Sequence, residues 1–517
     1  MKHHSQQLLK RLDGIWIYGV YLAFYGFIVS VLYQKAGSFG CFDDCFNYMG
    51  GWFLLKGRVL YEQIFFNHQP LAAYLSAIIQ TVLNPASIYQ LVLYHRFFVY
   101  GFALVFGILL LRRFGIKALL FLLLYESTKY YFFGDRFLAE GLIVYPLVYL
   151  LGLVLLGLQK VRFTSMDILI GTISMWFVFW MREPYIPLVI FLYVFFLFLT
   201  RSNKARIVSL LLLGLASGFF FLLFPLSDYY FSVVTVNTSF HLKQPVTARI
   251  LYESFFYPVV IFISGRDTQL RYFEMVLSGV FVATVLFTIR QKKNLLLLLT
   301  IFFTLGLANL RPTPPGTQYY EAFHMLSWYA LFLFSISFLM FQLKKIISRW
   351  LFGGGVVILL LSLSLLLFNR GSYIREKTDS QGLFYEGYNQ YYTAGEIVKQ
   401  LSDPESTLFL DGWNDLIYWQ ADRSSSYQYG WYTSVMSGFP RYTTARTELL
   451  DNNPPDFFYG ACREWPFSKV SKAFLAQYTQ VFYQQKPSCL YIKQEIISSL
   501  HPSGLLEMEK LGYTIAK

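Results

Sequence analysis

Residues 40–61 read Gly40-Cys-Phe-Asp-Asp-Cys-Phe-Asn-Tyr-Met-Gly-Gly-Trp-Phe-Leu-Leu-Lys-Gly-Arg-Val-Leu-Tyr61, and a second run follows as Phe65-Phe-Asn-His-Gln-Pro-Leu-Ala-Ala-Tyr-Leu75. In the first run Phe46, Met49, Trp52, Phe53 and Lys56 recur at helical spacing, which predicts an amphipathic helix over 44–56 lying along a membrane surface. Asp43 and Asp44 then stand at its N-terminus, facing the positive end of the helix dipole. Taken alone the pair is equally an ordinary helix cap. His68, two residues before Pro70, leads through a turn into a further apolar helix. The sequence on either side decides between these readings.

Outward from this stretch the chain is unusually apolar. Of 517 residues 56% are hydrophobic, 20% aromatic and only 14% charged, with a mean hydropathy of +0.45. Soluble globular proteins carry roughly 25% charged residues, so a soluble enzyme, a disordered protein and a nucleic-acid-binding domain are all disfavoured. The formal charge of +13 is unevenly spread. Residues 1–369 hold 29 Lys and Arg against 14 Asp and Glu, whereas residues 370–517 hold 14 against 16. The positive excess lies in the apolar part.

Eleven apolar stretches are long enough, or nearly so, to cross a bilayer core of ~30 Å: 14–33, 88–111, 116–133, 138–158, 166–181, 185–200, 207–225, 271–289, 294–310, 322–343 and 350–368. Basic residues cluster in alternate connections, at Lys2, Lys10, Arg11; Arg112, Arg113, Lys117; Lys160, Arg162; Arg201, Lys204, Arg206; Arg290, Lys292, Lys293; and Lys344, Lys345, Arg349. Lys and Arg near span ends remain cytoplasmic, so the N-terminus is expected inside and the C-terminal part outside. The stretch 248–264 is placed at the outer surface, because counting it as a span breaks the alternation. The first apolar segment lacks a small-residue cleavage site and is expected to be retained.

The acids collect on the opposite side, among them Asp43, Asp44, Asp135, Glu140, Glu183, Asp228 and Glu321. All four cysteines lie there too, and an oxidising compartment permits disulfides. A Cys462–Cys489 bridge fits that setting without being required by it, and Cys41 and Cys45 are read either as a bridge or as two free thiols. Residues 370–517 have ordinary charge, a turn cluster at 451–456 and a β-prone run at 406–411. They are read as one soluble extracytoplasmic α/β or α+β domain, after a membrane domain over 1–369 whose first outer loop spans 34–87. Tyr427, Tyr429, Trp431 and Tyr432 form an aromatic patch, either core or a carbohydrate-facing surface.

At this point Asp43-Asp44, Tyr48, Gly57, Leu60-Tyr61, Asn67-His68-Gln69-Pro70 and Tyr74-Leu75 together resemble the opening of the GT-C glycosyltransferases. The resemblance is to the dolichyl-phosphate-mannose protein mannosyltransferase-like group, with the aminoarabinose transferase and Rgt-type sugar transferases. It is sharpest over 40–75 and looser beyond. It implies a polytopic α-helical membrane protein of GT-C-like fold that takes a sugar from a polyprenyl- or dolichyl-phosphate carrier. Transfer to a protein, glycan or lipid acceptor would then occur at the extracytoplasmic face, with inversion. Such transfer needs a base for the acceptor proton, and the resemblance points to Asp44 ahead of Asp43. Relatives place a basic residue near the carrier phosphate where this chain has His68, with Gln69 intervening as a departure.

Arg58, Arg136, Arg182 and Arg311 are alternative phosphate partners, since a guanidinium binds phosphate in bidentate fashion; any one of them is also readable as a structural arginine. Asp135 and Glu140 match an acid that supports the site in relatives, and Glu140 enters a strongly apolar helix, where an ionisable group is costly unless functional or paired. Arg311 to His324, including Tyr320, resembles a carrier-contacting loop. His95, His241 and His501 show no metal-ligand spacing, so no cofactor is expected, with a divalent ion at Asp43 and Asp44 the alternative.

A transporter or flippase for lipid-linked sugars is the competing class. It tends to carry repeats and mid-membrane acids, neither of which is visible here. A lipid-linked oligosaccharide ligase of similar fold is a further alternative. The Trp-Trp-Asp-Tyr-Gly signature of an oligosaccharyltransferase is absent. The expected setting is the plasma membrane of a prokaryote rather than the ER.

Overall fold

Each of the eleven apolar stretches contains a helix. The computed structural model describes residues 2–38, 40–41, 43–241, 268–291, 294–310, 322–344, 348–412, 415–460 and 470–515. Among them, seven helices are long and apolar enough to cross a membrane: Ile15–Tyr33, Ile88–Phe114, Ala139–Leu158, Asn203–Phe221, Leu270–Ile289, Ala322–Leu343 and Trp350–Phe368. The other four stretches form shorter helices, Ile116–Thr128 and Leu295–Leu307 of 13 residues each, Ser165–Met181 of 17 and Ile186–Leu199 of 14. At 1.5 Å per residue a 13-residue helix runs only about 20 Å, against a bilayer core of ~30 Å. The chain is a multi-pass membrane protein; among the described residues seven helices are long and apolar enough to span, and four further apolar helices are shorter. The stretch 248–264 lies outside the described residues.

The chain forms two compact units. The first comprises Met1–Ala36, Arg96–Phe219 and Pro245–Thr378, and the second Gly37–His95, Phe220–Gln244 and Asp379–Lys517. In the first, α6 (Ala139–Leu158) is buried along nearly its whole length, packed by α7 (Ser165–Met181), α8 (Ile186–Leu199) and the helix Leu326–Leu343. An all-round apolar helix has no polar face to offer water, so the centre of a bundle is its stable place. Outer helices expose large apolar side chains, such as Phe198 (77%) on α8 and Leu215 (73%) on α9 (Asn203–Phe221), as lipid-facing surfaces do. Small residues permit close helix approach: a Cβ on Gly152 would lie 2.4 Å from the Phe114 ring. Tyr25 Oη donates to the Tyr100 carbonyl at 2.6 Å, tying the first helix to the run beginning at Arg96.

The second unit contains α2 (Asp43–Leu55) and α3 (Leu71–Leu83), which pack on each other, and a six-stranded mixed sheet. Its strands are β1 (Thr407–Leu410), β2 (Ser424–Ser425), β3 (Phe457–Tyr459), β4 (Tyr478–Tyr483), β5 (Lys486–Lys493) and β6 (Tyr513–Ile515), in the order β2-β1-β3-β5-β4-β6. β1 pairs parallel with β2 and β3, with Phe409 opposite Phe458, and the remaining pairs are antiparallel. The β-prone run at 406–411 is thus a central strand. The aromatic patch is core: Tyr427, Tyr429, Trp431 and Tyr432 are all buried.

Candidate functional site

The helix expected over 44–56 is α2, but it does not present one bare face. Asp44, Cys45, Tyr48, Met49, Gly50, Gly51, Trp52 and Phe53 are all buried. The reason is that it is covered from two directions. On the α3 side, Gly51 has no space for a side chain, since a Cβ would lie 2.6 Å from the Ala77 backbone nitrogen. From the sheet-bearing part, Trp431 packs edge-on to Phe46 and stacks on Phe53, both with centroids 5.4 Å apart. A disulfide between Cys41 and Cys45 brackets the acidic pair. Cys489 is also disulfide-bonded, while Cys462 lies outside the described residues.

Asp43 is exposed, whereas Asp44 has no exposed surface and its Oδ2 accepts a 2.8 Å hydrogen bond from Tyr48 Oη one turn later. Tyr48 leans on the His95 ring, 4.2 Å between centroids. His95 Nδ1 lies 2.7 Å from the Leu91 carbonyl, which only accepts, so Nδ1 carries a proton; in the neutral ring Nε2 then accepts from Ser76 Oγ at 2.8 Å. Gln80 completes the set, donating to the Tyr48 carbonyl at 2.8 Å and to Ser76 Oγ at 3.0 Å. A buried, satisfied network of this kind fixes side-chain orientation. It fixes the ring against which Asp44 is hydrogen-bonded. Sequence reasoning left His95 as scattered and missed Ser76 and Gln80; their only sequence signal is polarity inside apolar helices.

His68 sits on a tethered loop. Its ring meets Phe46 edge-on at 5.6 Å, and its carbonyl accepts from Tyr61 Oη at 2.8 Å. The neighbouring Asn67 donates to Asn237 Oδ1 at 2.9 Å, and Gln69, itself buried, donates to Tyr229 Oη at 3.0 Å. Between those two anchors the chain is π-helical over Tyr230–Val236, a distortion often found at functional sites. Arg58 is committed to backbone: its guanidinium donates to the carbonyls of Ser425 (2.5 Å), Tyr427 (3.0 Å), Gln63 (3.3 Å) and Gln428 (3.4 Å). Burial lowers its pKa.

Three other candidates meet in the first unit. Glu140, in the first turn of α6, accepts from Arg182 Nε at 2.8 Å, and His324 Nε2 lies 3.7 Å from the same oxygen. Arg182 ends α7 in an extended conformation, and its NH1 lies 3.6 Å from Glu183. His324 belongs to the 3-10 turn Ala322–Met325, where its carbonyl accepts from Tyr185 Oη at 2.9 Å. Side chains from three distant segments therefore form one buried cluster. Asp135 is buried in the turn before α6, and Arg136 lies over the Phe133 ring at 4.5 Å. Arg311 and Tyr320 lie outside the described residues. Sequence reasoning passed over a second buried pair, Glu126 and Lys129, 2.6 Å apart, with Tyr145 Oη donating to Glu126 at 2.7 Å. The signal was present as an acid and a base at i and i+3 inside an apolar run. Among the described residues no three His, Cys, Asp or Glu side chains gather as a metal site.

No protein-family model matches the sequence, and no curated protein matches it. A crystal structure of ArnT from Cupriavidus metallidurans in the apo state is similar, with a TM-score of 0.51 and 12% sequence identity, over 93% of this chain and 97% of that one. The chain therefore has an ArnT-like fold.

Proposed function

We propose that the protein is an integral-membrane glycosyltransferase that moves a sugar, with inversion, from a polyprenyl-phosphate carrier to an acceptor on the extracytoplasmic face. The observation that carries this reading is the ArnT-like fold, which extends over 93% of the chain. Asp44 serves as base: as the acceptor oxygen attacks the anomeric carbon, its proton passes to the carboxylate and the carrier phosphate leaves with the bonding electrons. Tyr48 holds Asp44, and the His95–Ser76–Gln80 network holds Tyr48. Asp43, exposed beside it, draws the acceptor hydroxyl or adds to the field.

Within the membrane unit, Arg182 is proposed as a contact for the carrier phosphate, with His324 beside it and Glu140 fixing the guanidinium. A planar guanidinium matches phosphate oxygens in a way that a lysine does not. His68, Asp135, Arg311 and Tyr320 are assigned to the carrier and sugar, and Arg58 to the same region through the loop it anchors. The membrane part spans 1–369 and the soluble domain 370–517, with the N-terminus cytoplasmic and the soluble domain outside the plasma membrane of a prokaryote.

The test is copurification: purified protein incubated with polyprenyl-phosphate sugars extracted from membranes, followed by mass spectrometry of what remains bound. Retention of a polyprenyl-phosphate glycoside is expected. Retention of diphosphate-linked oligosaccharides alone would favour the ligase reading instead.

A further inference from the structure

A cavity of about 950 Å³ opens in the first unit between the α6–α7 and α8–α9 connections. It lies beyond the C-terminal end of α6, a helix about 30 Å long at 1.5 Å per residue whose first turn holds Glu140. Lys160, Arg162, Arg201 and Lys204 line it, and no acidic residue does. Among the described residues the side chains of these four make no ion pair and no hydrogen bond. Other cations in neighbouring connections are committed. Arg113 pairs with Asp167 at 2.7 Å, Arg206 Nε donates to the Thr200 carbonyl at 2.7 Å, and Lys117 lies over the Phe338 ring at 4.3 Å. Asp167, the acid of that region, is buried and also bonded to the Thr164 amide at 2.7 Å.

The walls of the cavity are apolar and outward-facing, with Leu169, Phe198 and Leu212 all exposed. Both α7 and α9 begin there, so the positive ends of two helices of 17 and 19 residues add to the field. Charges needed only to fix topology require neither a cavity nor convergence. A free anion has no use for an apolar wall. A molecule with a phosphate head and hydrocarbon chains uses both.

We propose that this cavity binds an anionic phospholipid, the headgroup phosphate among Lys160, Arg162, Arg201 and Lys204, and an acyl chain along Leu169, Phe198 and Leu212. The bound lipid bridges the two connections. It lies at the opposite end of the bundle from the cluster of Glu140, Arg182 and His324, so it is a separate site from that of the carrier.

The full-length protein in mild detergent is titrated with phosphatidylglycerol, phosphatidylcholine or inorganic phosphate and read by native mass spectrometry. Adducts of phosphatidylglycerol are expected, with little binding of the zwitterionic lipid. The Arg162→Gln/Lys204→Gln variant should weaken them by about 25-fold, at roughly fivefold per cation near a headgroup. Arg290→Gln, a cation outside the cavity lining, should leave them unchanged. In the unmodified protein a photoactivatable phosphatidylglycerol should crosslink to peptides within 157–169 and 198–212, a readout that needs no variant to fold. Equal binding of both lipids, equal binding by the double variant, inorganic phosphate displacing the lipid at similar concentration, or crosslinks confined to other helices would overturn the proposal.

Discussion

Glu140 and Arg182 offer the sharpest perturbation of the buried cluster in the membrane unit. Their 2.8 Å contact, with side chains 2% and 5% exposed, corresponds to a Coulomb attraction of about 6 kcal/mol at an effective dielectric constant of ~20. Removing two ions from water costs several kcal/mol each, so the intact pair is close to neutral for stability, while a surviving lone charge costs about 3–5 kcal/mol. Glu140→Gln and Arg182→Gln should therefore each lower stability by that order. The double variant should lie above the sum of the two by about 2–3 kcal/mol, a large coupling for neighbours in one network. The assay is denaturant or thermal unfolding of the purified protein in a single detergent, with all four members of the cycle measured together. In donor titrations Arg182→Gln should also raise KM for the lipid-linked sugar. Additive effects, within about 0.5 kcal/mol, would refute the idea that the two side chains act as a unit.

Gly51→Ala places a methyl 2.6 Å from the Ala77 backbone nitrogen and should cost about 1–3 kcal/mol as α2 lifts from α3. Gly101→Ala, with open space around it, should be neutral or slightly stabilising, and equal melting temperatures for the two variants would contradict the packing. In the second unit, burial pushes the Asp415 carboxyl up from 3.8 to about 7. The folded state thus holds this proton more tightly than the unfolded chain, so stability is highest below pH ~4 and falls as pH rises towards 7, by up to roughly 4 kcal/mol from this group. Asp415→Asn should flatten that part of the pH profile and be the more stable form at pH 8; an unchanged profile counts against it.

Much of the architecture was legible because the bilayer imposes length, and length is visible in sequence. The apolar stretches became helices in every case. Helices such as Ile116–Thr128 stop short of the expected stretch, where Glu126 to Lys129 interrupt the apolar run and the backbone tightens into a 3-10 turn over Lys129–Phe132. The helix at Asp43–Leu55 was readable from its spacing, but its burial was not. Spacing reports which side chains share a face, whereas Trp431 and Tyr418, which cover Phe53, come from more than 350 residues away. The cluster of Glu140, Arg182 and His324 shows the same limit from the other side. Each residue stood out as a charge or a histidine beside an apolar run, and only the fold shows that they share one oxygen. Gln69, a departure from the expected motif, is explained by its hydrogen bond to Tyr229, a partner 160 residues distant.

The most direct measurement is transfer by the purified protein, reconstituted in liposomes with extracted polyprenyl-phosphate sugar and a membrane-derived acceptor pool, followed as release of free polyprenyl phosphate. Wild type should turn over. Asp44→Asn should bind the donor normally and release none above background, and Asp43→Asn should retain a measurable rate. Full turnover by the Asp43→Asn/Asp44→Asn double variant, with the protein folded and inserted, would contradict the assignment of the base to α2.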